Sequence, residues 1–323
     1  MWRWVRWLAP LVVLIILGLM FRDQMPFIGD GVRRLRDASP WAVVAAVACA
    51  LVSIVAMAEV MRLLLGSGGT HVPLRDTTAI TLASNSWSTS LPGGPAFSAV
   101  LTYQVQRSWG ASRLLCGWFF VLSSAVSTMW LVVIGVAGVF FLGADVNVFS
   151  LLLTLALMTA LSWALWWAAN HPATLERWAR QLLTRLSPDK VEAVVDQIHQ
   201  LETVRLNRRR FALVAGWSLL NRAADVLTLF LCVWAVTDSA PAVAGVLLAY
   251  TTAKIAGSAQ VTPGGLGTVE AAIIAVLVAA GLTAVDATGA ALVYRLVSFA
   301  LITAVGWVVY FLHYARRGVH ARG

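Results

Sequence analysis

Five ionisable side chains stand in otherwise apolar stretches: Arg222, Asp225, Lys254, Glu270 and Arg295. A charge inside a bilayer is costly, so such groups face the protein interior, pair with one another and mark sites that handle ions or polar substrates. Arg222 and Asp225 lie three residues apart on one helical face, so they can pair. Glu270 stands three residues after Gly267, in the first turn of a helical arm. Arg295 follows Tyr294 in the last apolar run and is the expected partner of Glu270. Each has a plainer alternative. Arg222 and Asp225 could lock helices together, Glu270 could satisfy a helix dipole, Arg295 could serve Glu270 alone, and Lys254 could snorkel to an interface. Glu59 and Arg62 fall near the end of a span, where a surface role is expected.

A second chemistry lies in two breaks, Pro92-Gly93-Gly94 and Pro263-Gly264-Gly265, the latter followed by Gly267. Backbone N–H groups at the start of a half-helix form an anion site. A phosphate-bearing headgroup suits such a site, with Arg222, Lys254 or Arg295 as counter-charges.

Other chemistries are absent from the sequence. There is no nucleophile elbow, no P-loop and no metal-spaced His/Cys/Asp cluster, so no catalytic residue, metal or cofactor is expected. Cys49, Cys116 and Cys232 each sit in an apolar run and read as small packing residues. The five histidines fall in loops or near span ends.

The elements that must position these residues are helices in a membrane. Of 323 residues 59% are apolar and only 12% charged, and the apolar residues come in long runs. A soluble fold cannot hide that surface, and in lipid the backbone must be bonded internally. The net charge of +9 lies in loops beside the spans, which points to topology and anionic lipids and away from nucleic acid. The preference for arginine over lysine suggests a GC-rich bacterial genome.

Six spans are expected. The first follows Met1–Arg6, runs over Leu8–Met20 and is uncleaved, with Trp2, Trp4 and Trp7 at the interface. The others are Trp41–Leu65, Leu114–Leu142, Val148–Ala169, Phe211–Val236 and Thr288–Tyr314. Two stretches, 74–110 and 241–281, are broken helical hairpins, either re-entrant or spanning. At membrane depth a Pro-Gly-Gly break survives only where protein or water covers it. The segment 170–210 is amphipathic and holds eight basic residues, ending in Arg208-Arg209-Arg210.

The breaks are 171 residues apart, and Gly110 and Gly281 share that offset. Three spans lie between the hairpins, which turns the second upside down. The fold expected is therefore all-α: one polytopic transmembrane domain over 1–323, built as an inverted repeat. Its halves are 41–142 and 211–315. Paired broken segments in two halves point to a binding site between them. The basic segment 170–210 belongs in the cytoplasm, and parity then puts both termini there. The arginine-bearing loop 21–40 runs against this rule.

The run Leu248–Tyr250, then Thr262-Pro263-Gly264-Gly265-Leu266-Gly267-Thr268-Val269-Glu270, then Gly281 and Val293-Tyr294-Arg295, resembles a known family. It is similar to the lysylphosphatidylglycerol synthase transmembrane-region, or flippase-like domain, family. Asn85, six residues before Leu91-Pro92, also fits. The chain departs from the family pattern at Ala96–Gln106, which carries no charge. The resemblance implies a lipid-linked role: in multiple peptide resistance factors this region is associated with moving aminoacylated phosphatidylglycerol between leaflets. The aminoacyl-transfer step belongs there to a separate soluble domain, which the resemblance does not extend to.

The expectation is a translocator of an anionic lipid or lipid-linked substrate in the bacterial inner membrane, with lipids as partners. A scaffold for lipid or envelope synthesis proteins is the first alternative. A membrane-embedded lipid-phosphate transferase, with Glu270 or Asp225 as base, is the second.

Overall fold

A computed structural model describes residues 38–91, 93–141, 207–258 and 262–315. Every regular element among them is helical. Four helices are long and apolar enough to cross a membrane: α1 (Pro40–Ser67), α4 (Arg113–Phe141), α5 (Arg208–Thr237) and α8 (Ala284–Tyr314). They match four of the six expected spans. The spans at 8–20 and 148–169, most of segment 170–210 and both termini lie outside the described residues.

Two further pairs of shorter helices occupy the stretches read as hairpins. The first is α2 (Leu74–Ser90) and α3 (Gly94–Ser108). The second is α6 (Val243–Ser258), a 3-10 turn at Pro263–Gly265, and α7 (Thr268–Ala279). Two boundaries differ from expectation. Arg208, Arg209 and Arg210 form the first turn of α5 instead of closing the amphipathic segment. The last helix begins at Ala284, a turn earlier than Thr288, because Thr283 caps it by accepting from the Asp286 N–H.

The axis of the bundle is the antiparallel pair α1–α5. Ser39 N–H donates to Ala235 O at one end, and Arg210 reaches Gly66 O at the other. The contact face of α1 carries Ala42, Ala46 and Ala50, all buried and four residues apart. Small residues let backbones approach, which is how helices gain packing energy where lipid supplies no hydrophobic drive. That stripe continues to Ser53, so the same packing delivers a hydroxyl to the middle of the bundle.

Two apolar clusters flank this axis. One joins α1, α2, α3 and α4 around Leu64, Ile80, Leu101 and Phe119. The other joins α5, α6, α7 and α8 around Leu229, Ile273, Leu277 and Val293. The hairpins enter from opposite ends. The start of α2 meets the end of α8, where the Tyr314 hydroxyl reaches Asp76 O. The start of α6 lies against the far end of α4, where Leu247 and Leu248 face Gly138.

α2 lies tightly along α8. A Cβ on Gly306 would stand 2.0 Å from Ser86 Oγ and 2.3 Å from Leu82 O, so only glycine permits the approach. Ser86 Oγ donates to Thr303 O, and Trp307 Nε1 donates to Ser90 Oγ. Beside this contact α8 changes to π-helix at Leu296–Leu301. Such widened turns free backbone groups and recur at functional sites.

Candidate functional site

The second break packs near the end of the helix that leads into the first. The turn Pro263–Gly265 packs against α2. A Cβ on Gly264 would fall 2.9 Å from Thr89 O and 2.3 Å from the Phe299 ring, and its φ of 61° already favours glycine. Pro92 lies outside the described residues.

Beside this contact is a cavity of about 630 Å³. Its wall takes residues from all eight described helices, α7 contributing Val269. Asn85, Arg222, Asp225, Lys254, Gly264, Tyr294 and Arg295 all border it. Gly93, Gly94, Gly265, Gly267 and Glu270 do not. The last two border a smaller crevice of about 350 Å³ between α7 and α8.

The cavity carries two charged clusters. In the first, Lys254 Nζ lies 2.9 Å from Asp225 Oδ2. Ser53 Oγ donates to the other carboxylate oxygen at 2.6 Å, and Asn221 Nδ2 donates to Ser53 Oγ at 2.8 Å. The pairing of Arg222 with Asp225 that their spacing allows does not form. Arg222 instead donates to Ser127 Oγ (2.6 Å) and to the Tyr250 hydroxyl (3.3 Å). Tyr250 in turn donates to Asp225 Oδ2 at 3.4 Å. A shared helical face permits an ion pair but does not choose it over a lysine arriving from a neighbouring helix. Arg222 thus meets no carboxylate within ion-pair distance among the described residues. Its Nε is buried without a hydrogen-bond partner among them.

Ser53, Ser127 and Arg222 each stand at the middle of their helices. A helix rises about 1.5 Å per residue, so these positions lie roughly 20 Å from either helix end. The cluster sits where a bare charge would be most costly.

The second cluster is tighter. Arg295 Nε donates to Glu270 Oε1 at 2.6 Å, and both residues are only 6% exposed. Arg295 Nη2 donates to Gly264 O at 2.8 Å, and the guanidinium lies 4.2 Å from the centre of the Phe299 ring. Glu270 Oε2 accepts from the Gly267 N–H at 2.7 Å. That capping contact gives one of the break's N–H groups an internal anion. The pair also ties the break to α8 and forms a wall between cavity and crevice.

Several cavity residues were not singled out from sequence: Ser53, Ser84, Ser88, Thr102 and Asn221. A signal existed for the hairpin members. Thr81, Ser84, Asn85 and Ser88 recur at helical spacing, one polar face in an element flanked by apolar spans. Glu59, expected at a surface, is buried at 6% exposure and receives two hydrogen bonds from Arg62 on its own helix.

Chemically the site can bind an anion. Three cations border the cavity, one of the two carboxylates near them lies behind Arg295, and the remaining wall is rich in hydroxyls. Among the described residues no group of His, Cys, Asp or Glu side chains could hold a metal.

Comparison with curated proteins returned no match. The model of one protein family, the lysylphosphatidylglycerol synthase TM region, matches residues 6–306. The match spans both broken stretches and every residue that borders the cavity. This chain is a multi-pass membrane protein, and it belongs to the lysylphosphatidylglycerol synthase TM region family.

Proposed function

We propose that this protein translocates an anionic lipid or lipid-linked substrate across the bacterial cytoplasmic membrane. The observation that carries the reading is Arg222, a guanidinium at mid-helix depth beside a cavity, held among the described residues by hydroxyls. A buried cation without a carboxylate is costly unless a substrate anion visits it. Lys254 and Arg295 flank the same space, and Gly264 of the second break borders it. The headgroup enters this cavity while its acyl chains stay in lipid. The opposite entry of the two hairpins supports an inverted repeat, with a re-entrant break from each side. In that arrangement a site at the repeat interface can face either leaflet by rocking of one half against the other.

A scaffold needs no such cavity. A transferase needs a carboxylate free to take a proton, whereas Asp225 and Glu270 are each held by a cation and a further donor. These features favour translocation over both alternatives.

The test is a vesicle assay with fluorescent phosphatidylglycerol and the purified protein. Reagent added outside should reach label from both leaflets when the protein is present. Arg222→Gln should lower that rate by tenfold or more, as expected for losing one charge-assisted contact worth about 1.5–3 kcal/mol. Equal rates with wild type, Arg222→Gln and empty vesicles would rule translocation of this lipid out.

A further inference from the structure

The cavity has a second wall whose chemistry the charges do not explain. Asn85 and Ser88 project from α2 and Tyr294 from α8, and all three border it. The other hairpin hydroxyls there are engaged. Thr81 donates to Thr77 O, Thr89 to Asn85 O, Ser98 to Pro95 O and Thr102 to Ser84 Oγ. The side chains of Asn85 and Ser88 have no hydrogen-bond partner among the described residues. Tyr294 is only 5% exposed and presents a neutral phenol to the same space. Polar side chains enclosed by a protein are normally satisfied, and two half-buried ones left open on a cavity wall call for an explanation.

The three groups are neutral, and each can both donate and accept. They cannot compensate an ammonium, and among the described residues the two carboxylates near the cavity are already taken by Lys254 and Arg295. The cationic side is served by Arg222, Lys254 and Arg295. A matching headgroup carries a phosphate for the cations and hydroxyls for the neutral wall, and it carries no amine.

Building on the translocator reading, we infer that the substrate is a phospholipid with a polyhydroxyl headgroup, a polyol or sugar phosphodiester, and that Asn85, Ser88 and Tyr294 select it. Aminoacylated lipids are disfavoured, because their amines would meet three cations.

Binding of lipids with identical acyl chains to the purified full chain, followed by native mass spectrometry, tests this. The probes are phosphatidylinositol, phosphatidylglycerol, phosphatidic acid and lysylphosphatidylglycerol. Phosphatidic acid is the stringent control, since its phosphate monoester carries at least as much negative charge but no headgroup hydroxyl. Phosphatidylinositol should bind about tenfold more tightly than phosphatidic acid, as expected for two or three added hydrogen bonds. Lysylphosphatidylglycerol should bind most weakly. Tyr294→Phe and Asn85→Ala, checked for unchanged melting temperature, should each reduce phosphatidylinositol binding several-fold and leave phosphatidic acid unaffected. Tyr294→Phe removes one oxygen only, so it keeps the test sound if Asn85→Ala fails to fold.

Phosphatidic acid binding as tightly as phosphatidylinositol would overturn the selectivity and leave an anionic-lipid translocator standing. So would tightest binding of lysylphosphatidylglycerol, or variants without effect on phosphatidylinositol. Lipid binding that is indifferent both to headgroup and to Arg222→Gln would overturn the selectivity together with the translocator reading beneath it.

Discussion

At the scale of single residues, the two ion pairs differ in kind. Glu270 and Arg295 are almost completely enclosed, at 9% and 7% side-chain exposure. Asp225 and Lys254 retain 21% and 34%, because they border the open cavity. Removing one member of an enclosed pair strands the other and costs about 3–5 kcal/mol, whereas removing both costs far less. Glu270→Ala should therefore lower the melting temperature in detergent sharply, and Glu270→Ala with Arg295→Met should recover much of it. Lys254→Met should lower it less than Arg295→Met, because screening weakens the more exposed pair. Melting curves for the four variants check the ranking. A Glu270→Ala protein as stable as wild type would show that the pair does not hold the break to α8.

Between elements, the decisive contact is α2 against α8. Glycine at 306 lets α2 approach closely enough for Ser86 to reach Thr303 O and for Thr89 to meet Thr303 Oγ1. Gly306→Val would insert side-chain atoms where Ser86 Oγ and Leu82 O now stand. Overpacking of this kind costs about 1–3 kcal/mol or displaces the helix. The expected outcome is a lower folded yield on size-exclusion chromatography and weaker lipid binding in what remains folded, since α2 carries the neutral wall. Normal yield with normal binding would show that α2 can sit further out without harm. Gly216 on α5 has open space at its Cβ position, so Gly216→Ala is the matched control.

For the whole molecule, the arrangement requires a hydrated cavity within an apolar bundle and a defined orientation. Cavity hydration can be read by thiol labelling after Cys49, Cys116 and Cys232 are replaced by alanine. Ser88→Cys, on the cavity wall, should react with a water-soluble maleimide. Val121→Cys, on the exposed face of α4, should stay unreactive in vesicles because lipid covers it. Equal reactivity at both positions would contradict a water-filled site in a lipid-facing bundle. Orientation follows from the basic residues of segment 170–210 and from Arg208–Arg210 at the start of α5. A fluorescent reporter that folds only in the cytoplasm, fused after Gly323, should light up. A dark fusion with normal expression would reverse the topology and exchange the sides from which the hairpins enter.

Sequence alone was enough for the helical class, the hairpins, and the four long helices to within a turn. Those depend on local physics: hydrophobic run length against bilayer thickness, and Pro-Gly-Gly against helix continuity. It was also enough to mark Glu270 and Arg295, since two opposite charges in apolar stretches each need a partner. Which charge meets which was not local. Arg222 and Asp225 share a helix face, yet Asp225 takes Lys254 from α6 and Ser53 from α1, 172 residues away. Tertiary packing settled this, because helix crossings determine which side chains share a depth and a direction. It also decided that Arg222 is left to hydroxyls, that Glu270 fills the N–H of Gly267, and that Asn85, Ser88 and Tyr294 face one cavity. Spacing along a chain limits which groups can meet within an element. Only the close approach of α2 to α8, and of the second break to Thr89, brings groups from distant elements around one space.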